Sequence, residues 1–311
     1  MKICIRSFLI LIIVVSLSGC WDQWELNEIS IISGIAIDQG DNGDYVLNMQ
    51  VINPSELAIT EEAAGLSPVA IYEVSGTTIH EAAREILKEA PRRAYFSHMA
   101  SLIISEEIAE EGLEDVMDFF YRDHEVRSDY MILIAKDGSA HDILEMVPRL
   151  EGVGSINILH SIEHGEQSTA LIDGVRMGEL LQKTLSAGVE PSLLGVSAVG
   201  DMEKAQTTQN VESTKPKGHR VLDSTAIFRN NQLVGWLDES QSKAFQYADG
   251  AVQDSAESVP CPDVGTMAIE SLQTEPEIVV SMDNGPQISR GQHPGNFFWL
   301  VWTCRSGNEC L

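Results

Sequence analysis

Basic residues are scarce in this chain. Lys and Arg number 20 against 47 Asp and Glu, for a net charge of −27 over 311 residues. A surface of that sign repels phosphate backbones and anionic headgroups, which argues against nucleic-acid binding and against membrane attachment through a basic patch. Acidity itself serves solubility. Cysteine is scarce too. Cys4 lies in the leader described below, and only Cys261, Cys304 and Cys310 fall in the body of the chain after Cys20. No two of them show the spacing of a zinc knuckle or a thioredoxin-like motif, so the chain is not a disulfide scaffold. G-x-S-x-G elbows and P-loops are absent, which disfavours two common enzyme classes. Long hydrophobic runs are missing as well. The apolar stretch Phe8 to Leu17, interrupted only by Ser16, falls short of the about 20 residues that a spanning helix needs.

That short stretch has a different use. Lys2 and Arg6 precede it and Ser18-Gly19 follows it, the three-part pattern of a secretory signal. Leu17-Ser18-Gly19-Cys20 resembles the lipobox of bacterial lipoproteins. The resemblance implies cleavage before Cys20, an S-diacylglycerol group on its thiol and an acyl group on its new amino terminus. One diacyl group supplies two chains, enough for a stable anchor. An ordinary secretory signal with a chance cysteine is the alternative. Trp21 and Trp24 follow at once. Indole rings suit the headgroup zone, but they equally anchor cores and interfaces, and packing or partner contact is the preferred reading.

Past Cys20 the chain alternates strands and helices. "EISIISGIAID" (28–38) and "DYVLNMQVIN" (44–53) are predicted strands joined through Asn42-Gly43, a turn pair that favours positive φ. "TTIHEAAREILKEAPRR" is a predicted helix, with Thr78 and Glu81 at capping-box spacing and Ile79, Ala82, Ala83, Ile86, Leu87 and Ala90 on one apolar face; Pro91 stops it. A buried strand over 99–105, a helix over 110–123 and a strand over 130–136 follow. "SAHDILEMV" and "LIDGVRMGELLQKTLSAG" read as helices, the second ending near Gly188, and "LLGVSAVG" (193–200) reads as the strand that closes the unit. Polar, turn-rich 201–221 reads as a linker or long loop. A hairpin about Asn230-Asn231, a short helix in "ESQSKAFQYADGA" and two strands complete the pattern. The fold class is α/β (α+β mixed), a mixed sheet packed by helices with an incomplete second α/β domain. The predicted divisions are a lipoprotein signal peptide (1–19), an N-terminal domain (20–200), the linker or loop (201–221), a partial C-terminal domain (222–289) and an atypical tail (290–311).

"GCWDQWELNEISIISGIAID" resembles the mature start of the Ger(x)C family of spore germination lipoproteins, the C subunits of germinant receptors in endospore-forming bacteria. The resemblance continues through "LNMQVINPSE", "PRRAYFSHMASLIISEEIA" and "VMDFFYRDHEVRSDYMILIAKDGSAHDIL", and resumes at "STAIFRNNQLVGWLDESQSKAFQ" with its Gly-Trp-Leu. It implies a non-enzymatic subunit without a cofactor, held through Cys20 on the outer face of the spore inner membrane. Its partners would be a membrane-spanning A subunit and a transporter-like B subunit, in a receptor that responds to small nutrients and triggers germination. The tail "RGQHPGNFFWLVWTCRSGNECL" departs from the family. It holds two of the five Trp and only one acid, and such a shift in composition is expected from a truncation or an altered reading frame. A genuine strand is the alternative there.

Three further motifs bear on chemistry. "HSIEH" fits the H-x-x-E-H pattern, in which His160 and His164 share a helix face beside Glu163, as a zinc hydrolase would need; a solvated helix face is preferred because no third ligand is evident. Ser240 and Lys243 fit S-x-x-K without its companion motifs. "FYRDHEVRSD" (120–129) mixes charges of both signs and reads as an ion-pair network. A free-standing extracellular substrate-binding lipoprotein is the second functional reading, disfavoured by the short second unit.

Overall fold

The computed structural model describes residues 28–57, 67–90, 92–252, the strand segments 255–261, 265–271, 278–281, 287–290 and 299–302, and residues 5, 6 and 25. Cys20, Trp21, Trp24 and Pro91 lie outside the described residues, as do Cys304, Cys310 and most of the tail.

The first strand, β1 (Ile29–Gln39), turns into β2 (Tyr45–Ile52). Of the turn pair only Gly43 takes a positive φ, +79°, and its N–H donates to the Gly40 carbonyl at 2.9 Å. After the short α1 (Pro54–Leu57), β3 (Val69–Gly76) adds to β2 in antiparallel register. Next comes α2 (Ile79–Glu89), where the Thr78 hydroxyl accepts from the Glu81 N–H. The Glu81 carboxylate reaches back one residue further than in a simple capping box, accepting from the N–H and hydroxyl of Thr77. Of its predicted apolar face, Ile79, Ala82, Ala83, Ile86 and Ala90 are buried, whereas Leu87 is 58% exposed.

Short β4 (Arg93–Tyr95) and β5 (Ser101–Ile104) both lie parallel to β1. The single helix predicted over 110–123 is two: α3 (Glu106–Glu111) and α4 (Glu114–Arg122). Gly112, at φ +136°, breaks them, a conformation that side chains other than hydrogen resist. β6 (Met131–Ala135), α5 (Ala140–Glu145) and α6 (Gly154–Glu166) follow. The stretch read as one helix from Leu171 begins with a two-residue strand, β7 (Val175–Arg176), so α7 (Met177–Leu185) starts later and ends earlier than predicted.

β8 (Ser192–Gly200) is an interior strand, not the closing one, because β9 (Gly218–Arg229) pairs along it and β10 (Gln232–Leu237) pairs with β9. The main sheet runs β10-β9-β8-β6-β5-β1-β2-β3. Its four middle strands are parallel and antiparallel pairs flank them on both sides. The middle strands are near-continuous apolar runs because both their faces are covered. Alternate residues go to opposite sides. Ile35, Leu102, Ile104, Ile132 and Ile134 pack with residues of α2, α3, α4 and α7. Ala36, Ile103, Leu133 and Ala135 pack with Ala140, Ile143, Leu144, Ile158 and Ile162 of α5 and α6.

Residues 201–217 are not a spacer. They hold α8 (Met202–Ala205) and a 3-10 turn (Thr208–Asn210). Buried Asn210 ties this loop down: its amide donates to the Val147 carbonyl at 2.9 Å, and its oxygen accepts from the N–H groups of Lys217 and Gly218. A low count of apolar residues hid this packing, because the loop is held by hydrogen bonds. Beyond β10 lies α9 (Glu239–Asp249), closed by Gly250 in the left-handed region. Then β11 (Ser255–Cys261), β12 (Gly265–Ser271) and β15 (Trp299–Trp302) form a three-stranded sheet, and β13 (Ile278–Ser281) pairs with β14 (Gln287–Arg290).

Candidate functional site

The described body opens at Glu28 and the start of β1. There the Arg93 N–H donates to the Glu28 carbonyl at 3.1 Å, and β1 opens beside β4. A cleft of about 970 Å³ adjoins this point, walled by α2, α4 and the turn after α4. Its floor is apolar, from Ile79, Ile86 and Phe96. Phe119 stands edge-on to three rings, those of His80, Phe96 and Phe120, with centroids 5.8, 6.5 and 4.9 Å away. Exposed Leu87 lies on the same cleft.

The rim is charged in both signs. Arg93 pairs with Glu125, and Arg122 with Asp118 one turn earlier on α4. Tyr45 donates to Asp115 at 3.0 Å; burial and that carboxylate together push its phenol up to about 12, so it remains a donor at any physiological pH. The mixed-charge stretch 120–129 therefore forms the expected ion pairs, and those pairs border a groove with an apolar floor. Aromatic and arginine side chains around such a floor suit protein contact. Sequence reasoning missed the cleft because its two walls are far apart in the chain.

The enzyme-like motifs are not brought together. His160 pairs with Glu151, while Glu163 accepts from Arg176 at 3.0 Å. The His160 and His164 rings lie 6.4 Å apart between centroids. Among the described residues no group of three or more His, Cys, Asp and Glu side chains is placed to hold a metal ion. Ser240 donates to Asp238 at 2.9 Å, and Lys243 pairs with Glu239 at 3.0 Å, so neither is directed at the other. Among the described residues no helix is long and apolar enough to cross a membrane.

The Gly-Trp-Leu of the sequence is Gly235-Trp236-Leu237 on β10. Trp236 Nε1–H donates to Glu106 at 2.6 Å and Lys136 sits 5.4 Å above its ring. The ring crosses Gly195 of β8 so closely that a β-carbon there would stand 2.5 Å from it. This tryptophan fastens the β9–β10 hairpin to α3 and β8.

Comparison with known families places these elements. Residues 22–198 match the spore germination protein N-terminal domain, and residues 223–290 match the spore germination B3/GerAC-like C-terminal domain. The chain belongs to the Ger(x)C family. Among similar proteins of Bacillus subtilis (strain 168) is spore germination protein KC, 32% identical over 77% of this chain and 60% of its own length. The putative spore germination protein YfkR is 27% identical over 80% of this chain and 62% of its own, and spore germination protein B3 is 22% identical over 93% and 72%. The chain thus spans about 60% of the length of the first two. A crystal structure of the GerBC protein is matched over 88% of this chain and 76% of that one, at a TM-score of 0.43 and 17% identity. The cleft and the Gly-Trp-Leu hairpin both lie inside the matched regions.

Proposed function

We propose that the chain is a lipid-anchored, non-enzymatic C subunit of a nutrient germinant receptor on the outer face of the spore inner membrane. The observation that carries this reading is the succession of the two family matches directly behind the lipobox cysteine, Cys20. Residues 20–200 and 222–289 are read as the two family domains. Cys20 would carry the diacylglycerol and acyl groups and serve as a membrane attachment. From Cys20 to Ile29 an extended chain reaches at most about 30 Å. The cleft between α2 and α4 adjoins the start of β1, so the anchor would hold it near the membrane. Membrane-embedded A and B subunits are its partners in this reading, and confinement beside them raises effective concentration without any new contact. The engagement of His160 and Glu163 by Glu151 and Arg176 supports a structural use for those side chains.

The test is nutrient-triggered germination of spores lacking the gene, complemented by this chain or by Cys20→Ala, with abundance measured by immunoblot. Restoration by the chain and not by Cys20→Ala at equal abundance upholds the receptor role and the anchor. Equal restoration by both overturns the anchor. If neither restores germination while a longer relative does, the activity resides in the part of the relatives that this chain does not span.

A further inference from the structure

A second cavity, of about 240 Å³, lies on the opposite side of the sheet from the cleft, between α5, α6, the loop 201–217 and the start of β9. In a chain with 47 acids, no Asp or Glu among the described residues lines it. Arg220, Arg149 and His219 do. Arg220 projects from β9 into the end of α5. Its Nε–H donates to the Ile143 carbonyl at 2.7 Å, one Nη to the Met146 carbonyl at 2.6 Å and the other to Asn157 Oδ1 at 3.3 Å. All three acceptors are neutral, two of them carbonyls at the negative end of α5 and the third the side chain of Asn157 on α6, and no carboxylate is among them. A guanidinium carries five N–H groups, so two are left over with no acceptor among the described residues. Burial pulls this guanidinium down to about 10, and it remains charged at neutral pH.

Arg220 is half-buried and has no carboxylate partner, so a bound anion would supply the opposite charge it lacks. The walls are set before any ligand arrives. Each terminal nitrogen of Arg149 donates once, to the Thr214 and Ser213 carbonyls at 2.7 Å, and Asn210 fixes the loop from beneath. Next to the polar end, buried Ile158 and half-buried Leu222 supply an apolar surface. The cavity sets the planar fork of Arg220 beside a short apolar wall, the complement of a carboxylate with a short hydrocarbon tail.

We propose that this cavity binds a small aliphatic monocarboxylate, its carboxylate on the open N–H groups of Arg220 and its tail against Ile158 and Leu222. The site stands independently of the receptor assignment. Arg220 also joins β9 to α5, so its replacement tests folding as well as binding. Ser161, exposed on α6 and lining the same cavity, separates the two: Ser161→Glu adds a negative charge at the mouth without removing a core contact.

The experiment is thermal unfolding of the full chain in detergent with sodium butyrate, butyramide or inorganic phosphate at fixed ionic strength. Butyrate is expected to raise Tm saturably, by about 2 °C at ten times its Kd. Butyramide is expected to leave Tm unchanged, and Ser161→Glu to fold normally and lose the butyrate response. The proposal is overturned by the absence of a saturable butyrate shift, by an equal shift with butyramide, by a shift with phosphate alone, or by an undiminished response in Ser161→Glu.

Discussion

Gly34 marks the place where β1 passes closest to α6. A β-carbon there would stand 2.5 Å from Ser155 Cβ and 3.1 Å from Leu144 Cδ1. Gly34→Ala is therefore expected to destabilise the fold by about 1–3 kcal/mol in urea unfolding, the usual cost of overpacking. Adding Ser155→Gly should return part of that loss, because the two side chains compete for one space. Around them Gln50 Oε1 accepts from the Ser33 hydroxyl, the Ser155 N–H and the Ser155 hydroxyl, at 3.2, 3.0 and 2.9 Å. This fully buried amide joins β1, β2 and α6 where an apolar residue would leave donors unpaired. Asp173 raises a question of pH. Burial pushes its carboxyl up to about 6, with Lys183 opposing and Glu166 and Asp249 adding. In the unfolded chain it ionises at the usual carboxylate value near 4. Between about pH 4 and 6 the folded state keeps a proton that the unfolded state has lost, so stability falls as pH rises through this window. Asp173→Asn should gain about 2 kcal/mol over the native chain at pH 7.5 and about nothing at pH 4, read as the shift in urea midpoint at each pH.

At the scale of single elements, turn chemistry sets the registers. Asn230 and Asn231 have φ of +50° and +61°, the conformation of a two-residue turn that matches strand twist. Asparagine tolerates it and alanine does not. The Asn231 carbonyl also accepts from the Leu113 N–H at 3.0 Å, so the turn caps the start of α4 as well as closing its own hairpin. Asn231→Ala should cost about 1 kcal/mol in chemical unfolding and Asn231→Gly close to none. Glycine plays the opposite part at position 112. There it lets the chain leave α3 and re-enter a helix on a new axis, which brings α4 against α2 and makes the cleft. A continuous helix would have carried Phe119 away from His80 and Phe96.

Across the whole molecule, the sheet decides which parts act together. β8 and β9 pair from Ser192↔Ile227 to Gly200↔Gly218, on both sides of a segment that composition marks as a linker. Amides of β9 such as Ala226 and Phe228, both buried, should then show hydrogen-exchange protection within about 1 kcal/mol of those in β5 and β6, as members of one cooperative unit. Independent opening of β9 and β10 would show instead as an early-exchanging group. Trp236 should govern that coupling, because its ring covers Gly195 and its N–H holds Glu106. Trp236→Ala is expected to lower the protection of β9 and β10 more than that of β1 or β2.

β1, β2, β5, β6 and α2 were legible in sequence because each carries its own period or cap, whereas β3, β4, β7 and α8 were not read from it. β1, β5 and β6 are apolar runs of the kind that only a doubly covered strand allows, and Thr78 with Glu81 announces the start of α2 locally. The family was legible for the same reason, since its most specific residues sit together in short stretches. Tertiary structure alone decided what depends on residues distant in the chain. The cleft needs α2 and α4 to face each other across a break at Gly112. The anion-shaped cavity unites the end of α5 with a strand that begins about 70 residues later, and its lack of carboxylates is a property of the assembled walls. Local sequence encodes conformation through the backbone and neighbouring side chains, whereas a site is made by surfaces that meet only once the sheet has fixed their order.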